Sequence, residues 1–435
     1  MNTKSLFTRR SFAASALGMA ASLSLPRRSW ANLNSRPTVL CVGVGGKGQS
    51  GLSSALNMSD VIGICDVDAK QLEKASGKAP AARKFADFRE MFTVLGSKAD
   101  GVVISTPDHS HYPAAMAALK LRKDIFVEKP LTNTMWESEQ MLIGASITGV
   151  VTQMGNQGRL YNSRHLVRKW VKEGLIGDIT EVHVWTNRPI WPQGSAFKFE
   201  RAEPPAELNW LLWLGSVPDQ DYVEGIVPFK WRALVDFGSG AMDMGEHLLD
   251  VPLFALDPGP PTSVTPDLTD TEPRVYPASS HLTYRFSKRQ NLVLQWYDGG
   301  KKPVLPEVIR KERVASGGYF MVGTDGYIFD YASYGETPAV VSRSGKILRT
   351  DVPEKNGSAG MVENWLEALV KRSKPVSPWE EGAPLTEVCL VGNLAAASNR
   401  TIHWDAAART TGDLTADRLL KRTYRSGWEV SAADL

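Results

Sequence analysis

A glycine-rich turn between an apolar strand and a helix restricts the fold of this chain more than any other feature. The turn consists of Gly43, Val44, Gly45, Gly46, Lys47 and Gly48. It follows an apolar run that begins at Thr38 and precedes a small-residue helix predicted from about Gln49 to Met58. Such glycines allow a tight turn, close approach of the backbone to a pyrophosphate, and packing of the helix on the strand. The pattern predicts a dinucleotide-binding site.

An acidic residue lies where a ribose-binding carboxylate is expected. Asp66 ends the second predicted strand, 23 residues after Gly43. A carboxylate at this point accepts hydrogen bonds from the adenosine ribose and repels a 2′-phosphate. The sequence therefore favours NAD over NADP as the cofactor.

The spacing of strands and helices predicts two domains after an N-terminal leader. Strand and helix patterns alternate from residue 38 to residue 154, as in parallel βαβ units, and give an N-terminal Rossmann domain. Longer strand patterns separated by proline-rich loops follow, and two late helical stretches are predicted to pack back on them. Residues 155–435 are thus predicted to form an α+β domain with an open, mainly antiparallel sheet, which binds substrate and mediates oligomerisation.

The first 31 residues have the pattern of a twin-arginine signal peptide. Arg9 and Arg10 precede an alanine-rich apolar run that ends at Leu25, and Ser29-Trp30-Ala31 resembles a cleavage site. We expect recognition by the twin-arginine export machinery, a periplasmic or otherwise exported mature protein, and no membrane segment after cleavage.

Composition excludes several other classes of protein. The net charge is +3 without a basic stripe, which argues against nucleic-acid binding. The three cysteines form no CxxC pair, so we assign them no chemistry and predict no metal site.

Several further motifs carry a family resemblance over nearly the whole mature chain. They are Thr106-Pro107-Asp108-His109, Glu128-Lys129-Pro130, Gly155-Asn156-Gln157, Leu208–Gly215, Trp231-Arg232 and Gly240–His247. Together with the glycine turn, they resemble the glucose-fructose oxidoreductase, inositol dehydrogenase and MocA family. The resemblance implies a sugar-hydroxyl oxidoreductase that holds NAD and forms a homo-oligomer.

Site residues follow from the matching positions. Those expected to bind the cofactor are Gly43, Gly45, Gly46, Lys47, Gly48, Asp66, Thr106, Pro107, Asp108, His111, Glu128, Lys129, Gln157, Trp231 and Arg232. Oxidation of a carbinol also needs a base that takes the hydroxyl proton. By resemblance, His247 is expected to exchange this proton, Lys129 to polarise the hydroxyl, and Asp243 to orient the substrate or the histidine. The division of roles between Lys129 and His247 stays open.

Tryptophans before the catalytic element are candidates for a sugar-stacking wall. Trp185, Trp191, Trp210 and Trp213 lie in predicted loops and strands, and we expect one or two of them at the substrate.

Three functions are compatible with these residues. The first is an oxidoreductase with tightly bound NAD, which a second sugar substrate re-oxidises after export. The second is an NAD-dependent glycoside hydrolase that uses transient oxidation and elimination; the Tyr-His arrangement associated with such enzymes is not found in the sequence, although Tyr161 and His165 lie in the corresponding region. The third is a non-catalytic carbohydrate- or nucleotide-binding protein, which would have no use for Lys129, Asp243 and His247.

Overall fold

The computed structural model describes residues 36–310, 315–351 and 353–435. The predicted leader, residues 1–31, lies outside this range. Residues Arg36–Leu435 pack as one unit that contains two sheets.

The first sheet has six parallel strands in the order β3-β2-β1-β4-β5-β6. Its strands are β1 (Thr38–Val42), β2 (Asp60–Cys65), β3 (Arg83–Phe85), β4 (Gly101–Ile104), β5 (Asp124–Glu128) and β6 (Thr152–Gly155). The helices among them are α1 (Gly48–Met58), α2 (Ala69–Lys78), α3 (Phe88–Leu95), α4 (His111–Lys120) and α5 (Met135–Thr148). The central strands β4 and β5 are buried throughout, because helices cover both faces of a parallel sheet. The predicted Rossmann domain is confirmed.

The second sheet has nine strands in the order β14-β13-β12-β11-β7-β10-β9-β8-β15. They are β7 (Ile179–Trp185), β8 (Pro261–Thr269), β9 (Ser279–Phe286), β10 (Val293–Tyr297), β11 (Gly318–Gly323), β12 (Gly326–Asp330), β13 (Ala339–Ser342), β14 (Ile347–Arg349) and β15 (Ile402–His403). All neighbouring pairs are antiparallel except β7 and β10. The predicted fold class, a Rossmann domain followed by a mainly antiparallel open sheet, is therefore correct.

The remaining helices come after β6 in the chain. They are α6 (Ser163–Lys172), α7 (Trp210–Leu214), α8 (Gly245–Leu248), α9 (Asp250–Leu256), α10 (Met361–Lys371), α11 (Trp379–Ser398) and α12 (Leu414–Asp417). Helix α11 contacts α5 and β6 of the Rossmann domain and also β8 and β9 of the second sheet, while α10 packs on α1. Helix α11 thus joins both domains through one apolar core.

Helix α11 begins earlier than its sequence predicts. The residue pattern predicts this helix from about Leu385 to Asn399, directly after Pro384. The observed helix begins at Trp379 and keeps Pro384 in its second turn. Proline removes one backbone hydrogen bond there. The apolar packing of α11 against both sheets stabilises the turn despite that loss.

Within the described ranges, no helix is both long and apolar enough to span a membrane.

Candidate active site

A groove runs along the carboxyl edge of the parallel sheet and encloses about 460 Å³. Residues that follow β1, β2, β3, β4 and β5 line one wall, and residues of the C-terminal domain line the other. Ligands of open α/β sheets bind at this edge. The groove is therefore the candidate active site.

The glycine turn lines the groove and leaves no room for a larger residue at Gly43 or Gly48. Gly43 has a φ of +77°, and a Cβ atom built on it would lie 2.7 Å from the carbonyl oxygen of Ser105. A Cβ on Gly48 would lie 2.0 Å from the carbonyl oxygen of Gly43. Gly43, Gly45, Gly46 and Lys47 line the groove, while Gly48 packs beneath the turn. This bare backbone at the start of α1 suits the pyrophosphate of a dinucleotide.

Asp66 also supports the turn. Its Oδ2 accepts hydrogen bonds from the backbone N–H groups of Val44 and Gly45, both at 2.9 Å, and its Oδ1 accepts one from Asp68 at 3.0 Å. Burial raises the pKa of the Asp66 carboxyl, and the backbone donors oppose that shift. Asp66 lines the groove where sequence predicts a ribose ligand. The structure adds a second role for it, which is to hold the glycine turn in shape.

Lys47, Glu128 and Gln157 form a polar group beside the turn. The Lys47 ammonium lies 3.6 Å from a Glu128 carboxylate oxygen. With its amide oriented to satisfy both neighbours, Gln157 accepts from Lys47 at 3.0 Å and donates to the Gly155 carbonyl at 3.1 Å. Burial raises the pKa of Glu128, against the effect of the two nearby lysines. All three residues predicted from the motifs thus line one part of the groove.

Only some of the residues that follow β4 line the groove. Thr106, Pro107 and Asp108 line the groove as predicted. His111 does not, and its assignment as a cofactor ligand is corrected: its Nδ1 lies 2.7 Å from the Pro130 carbonyl and its Nε2 lies 2.9 Å from the Thr106 carbonyl. Because both ring nitrogens are occupied inside the protein, His111 connects this loop to the segment after β5. His109 is also buried and has a structural contact, from Nε2 to the Trp213 carbonyl at 2.8 Å.

Lys129 and Asp243 form an ion pair in the groove. The Lys129 ammonium donates to Asp243 Oδ1 at 2.8 Å and to the Asp243 carbonyl at 2.6 Å. Burial alone would lower the pKa of Lys129, but the carboxylates of Asp243 and Glu246 raise it overall. Lys129 is therefore a cation in this site, and the structure shows that Asp243 contacts Lys129, whereas sequence led us to expect it to orient the substrate or the histidine.

His247 lies one turn after Asp243 and faces the same groove. A 3₁₀ turn over Gly240–Met244 continues into α8, which brings both side chains to one side. Asn156 donates from its amide to the Glu246 carbonyl at 2.7 Å, so its Oδ1 is free to accept from His247 Nδ1 at 2.9 Å. This contact leaves His247 Nε2 unprotonated. Burial and the Lys129 charge lower the pKa of His247 to about 3, which keeps the ring neutral.

Two further carboxyl groups surround the Lys129 ammonium. Asp108 accepts a hydrogen bond from the Ser239 hydroxyl at 2.8 Å, and burial together with the charge of Asp243 raises its pKa to about 7. Glu246 is fully buried, and burial raises its pKa to about 8. The site thus holds neutral and charged acids side by side around one cation.

Trp231 and Arg232 also line the groove. The Arg232 guanidinium lies 4.2 Å from the centre of the Trp231 ring, and its charge lowers the pKa of Asp243. Their predicted contact with the cofactor stays a prediction.

Of the four tryptophans expected near a sugar, Trp213 lines the groove. Trp191 and Trp210 pack with it in an apolar cluster of the loops before Phe237, and Trp185 is buried on the second sheet. Tyr161 and His165 do not line the groove either; His165 packs on Phe254 instead. The arrangement offers nothing in favour of glycoside hydrolysis.

Sequence reasoning missed several residues of the site, among them Tyr334, Trp428 and Asn156. Tyr334 lines the groove with its ring 4.8 Å from that of His247, and Trp428 lines the opposite end. Asn156 orients His247. Asn156 belongs to the motif Gly155-Asn156-Gln157, so the sequence contained evidence for it. No local motif marks Tyr334 or Trp428. In the part of the chain that the structure describes, no cluster of three or more His, Cys, Asp or Glu side chains could hold a metal ion.

Comparison with protein families gives two matches that together span most of the chain. Residues 38–156 match the NAD-binding Rossmann fold of the Gfo/Idh/MocA oxidoreductase family. Residues 162–430 match the C-terminal alpha/beta domain of the same family.

Individual curated relatives match only part of this chain, at low sequence identity. A scyllo-inositol 2-dehydrogenase (NADP(+)) from Bacillus subtilis is 24% identical over 214 residues, which are 48% of this chain and 52% of that protein. Levoglucosan dehydrogenase from Pseudarthrobacter phenanthrenivorans is 30% identical over 148 residues, 34% of this chain and 32% of that protein. The chain spans about half or less of the length of the curated relatives it matches.

A solved structure agrees over a longer range. Levoglucosan dehydrogenase in complex with NADH and levoglucosan has a TM-score of 0.59 and 17% identity, with 85% of this chain and 99% of that chain covered. At this identity the likeness shows a common fold.

Proposed function

Because the chain belongs to the Gfo/Idh/MocA oxidoreductase family, we propose that it is an NAD-dependent oxidoreductase acting on a hydroxyl group of a sugar or sugar derivative. One observation carries the proposal: a lysine cation and a neutral histidine face the groove that also contains the glycine turn. A binding protein would not need this pair.

The chain's own residues supply the proton chemistry. His247 Nε2 is unprotonated because Asn156 accepts the proton on Nδ1, so it can take the proton of a substrate hydroxyl. The Lys129 ammonium stabilises the negative charge that develops on the substrate oxygen. Asp243 fixes the ammonium through its carboxylate and its carbonyl. When NAD is bound, its nicotinamide supplies the acceptor for the hydride of the carbinol carbon.

The charge states of Lys129 and His247 support one assignment of roles. A cationic Lys129 is a poor base, whereas a neutral His247 is ready to accept a proton at neutral pH. We therefore assign proton exchange to His247, oxyanion stabilisation to Lys129, and positioning of Lys129 to Asp243.

The substrate class follows from the lining of the groove and from the relatives. Trp213, Trp231 and Tyr334 provide aromatic surface, and Arg188 provides a cation in the same groove. Aromatic rings with a few polar groups suit a polyhydroxylated ring. Relatives named for scyllo-inositol and levoglucosan act on cyclic polyols, which makes this chemistry the first to test.

The test is a panel of cyclic polyols, free sugars and sugar derivatives, each incubated with the protein and NAD while absorbance near 340 nm is followed. We expect at least one carbinol to generate NADH, and the Lys129→Ala variant to lose that activity while still binding NAD. A panel in which no carbinol reduces NAD and no carbonyl oxidises NADH would overturn the proposal.

We also propose that the protein is exported by the twin-arginine pathway with NAD already bound. The Arg9-Arg10 leader supports this proposal, and a compartment without a free NADH pool would require a second sugar to re-oxidise the bound cofactor. Replacing both arginines by lysine should keep the protein in the cytoplasmic fraction. Unchanged export would contradict the proposal.

Finally, we propose that the protein forms a homo-oligomer through its second sheet. Helix α11 covers one face of this sheet, and the opposite face carries stacked rings of His183, Tyr297 and His281. Light scattering after size-exclusion chromatography should give a multiple of the mature chain mass, and a monomer at micromolar concentration would refute this point.

A further inference from the structure

Two segments from outside the Rossmann fold lie along the end of the groove that contains Asp66. The first is Glu207–Gly215, which pairs with the chain after β2. The backbone of Ala69 donates to the Glu207 carbonyl, and that of Asn209 donates to the Val67 carbonyl, both at 2.9 Å. Leu208, Leu212 and Trp213 of this segment line the groove.

The second segment is the C-terminal tail, which several contacts hold on the Rossmann domain. Tyr424 donates its hydroxyl to Glu137 at 2.8 Å, and Tyr112 donates its hydroxyl to the Val430 carbonyl at 2.7 Å. Arg425 connects the tail to the first segment through the Leu211 carbonyl at 2.7 Å. The two segments are therefore joined to each other as well as to the domain beneath them.

Trp428 is the point at which the tail reaches the groove. Its ring centre is 6.0 Å from that of Phe88 and 4.2 Å from the Arg89 guanidinium. A Cβ atom on Gly215 would lie 3.7 Å from the same ring, so the tail and the first segment meet here. Trp428 is 8% exposed, yet it is one of the residues that line the groove.

This position corresponds to the adenosine half of a dinucleotide. The pyrophosphate end of the groove is defined by the glycine turn at β1, and the ribose end by Asp66 after β2. Phe88 and Asp87 follow β3, the next strand outward, and both line the groove beside Trp428. Asp87 caps helix α3 through the Arg89 backbone, which fixes this corner of the site.

We propose that Glu207–Gly215 and Trp428 form a cover over the adenosine half of the cofactor, with Trp428 as a further cofactor-binding residue that slows dissociation of NAD. The inference rests on the proposed function. The cover would keep the cofactor bound to an exported enzyme, because release of the cofactor requires the contacts between the tail and Glu207–Gly215 to open.

The expected effect is a faster release of the cofactor from a variant that lacks the ring. Contacts between a nucleic-acid base and an aromatic side chain are worth enough to change affinity by about 5- to 150-fold. We expect Trp428→Ala and Trp428→Leu to release NADH at least about fivefold faster than the unaltered protein. Leucine fills much of the same space, so this second variant separates loss of the aromatic contact from loss of packing.

The control is Trp404→Ala. Trp404 is similarly buried, at 4% exposed, but it does not line the groove and donates its indole N–H to Glu387. NADH release is followed by stopped-flow fluorescence after mixing with excess NAD, and thermal unfolding without cofactor checks that each variant is folded. Faster release from both Trp428 variants, with an unchanged rate in the control, supports the cover.

Two failures have different meanings. If the unaltered protein binds NADH but Trp428→Leu releases it at the same rate, the cover is refuted and the proposed function stands. If the unaltered protein binds neither NAD nor NADH, the proposed function itself is refuted.

Discussion

Replacing Asn156 by aspartate should move the acid limb of the pH–rate profile upward. In the structure, Asn156 Oδ1 lies 2.9 Å from His247 Nδ1, and the pKa of His247 is lowered to about 3. A carboxylate at this distance favours the protonated imidazole and raises a pKa by about 1–3 units. The His247 pKa in Asn156→Asp is therefore expected at about 4–6.

The sign of the effect follows from the role of His247 as a base. Protonation removes the base, so kcat/KM falls as pH decreases through the pKa of His247. With the unaltered protein, this loss occurs only near pH 3. With Asn156→Asp it enters the measurable range, and one pH unit below the new pKa the rate is reduced about tenfold.

The assay is kcat/KM for the best carbinol from about pH 3.5 to 8.5, which extends below the lowest pKa expected for the variant, expressed as the ratio of variant to unaltered protein. The ratio cancels the titration of Asp108, whose pKa of about 7 is common to both. Asn156→Ala is the control, since it removes the contact without adding charge and should give a ratio that does not vary with pH. A flat ratio for Asn156→Asp would refute the assignment of His247 as the base.

Three further predictions concern single residues. His247→Ala should lose at least about a hundredfold in kcat while its NAD affinity is unchanged, and an unaltered kcat would remove His247 from the mechanism. Asp66→Ala should weaken NAD binding, because the glycine turn loses two hydrogen bonds, and should reduce the preference for NAD over NADP; equal affinity ratios would show that another residue reads the ribose. Glu246→Gln should become more stable relative to the unaltered protein as pH rises from 4.5 to 8, by about 1.4 kcal/mol per pH unit, since over that range Glu246 ionises in the unfolded chain but stays protonated in the folded protein; urea unfolding at pH 5 and pH 8 with no difference between the variants would contradict it.

The structural features that the sequence predicts correctly depend on residues close together in the chain. The glycine turn, the strand before it and the helix after it are adjacent in the chain, and steric limits at Gly43 and Gly48 leave little choice of residue. The spacing of Asp243 and His247 likewise places both on one side of a short helical segment. Such features can be predicted from sequence because they depend on no contact with distant residues.

The features that the sequence does not predict depend on contacts between residues far apart in the chain. His111 has the appearance of a cofactor ligand in its loop, but its two ring nitrogens face carbonyl groups of Thr106 and Pro130. Tyr334 and Trp428 reach the groove from loops of the C-terminal domain, and no motif near either residue indicates a ligand. Their roles become visible only when the two sheets are joined.

The most direct test of the central claim is to follow the hydride itself. The protein is incubated with NAD and with the best carbinol labelled with deuterium on the oxidised carbon, and the dinucleotide is then analysed by mass spectrometry. The account predicts NADH that carries one deuterium, formed by the unaltered protein and greatly diminished in His247→Ala. NADH without deuterium, or no reduction with any carbinol, would contradict direct hydride transfer in this groove.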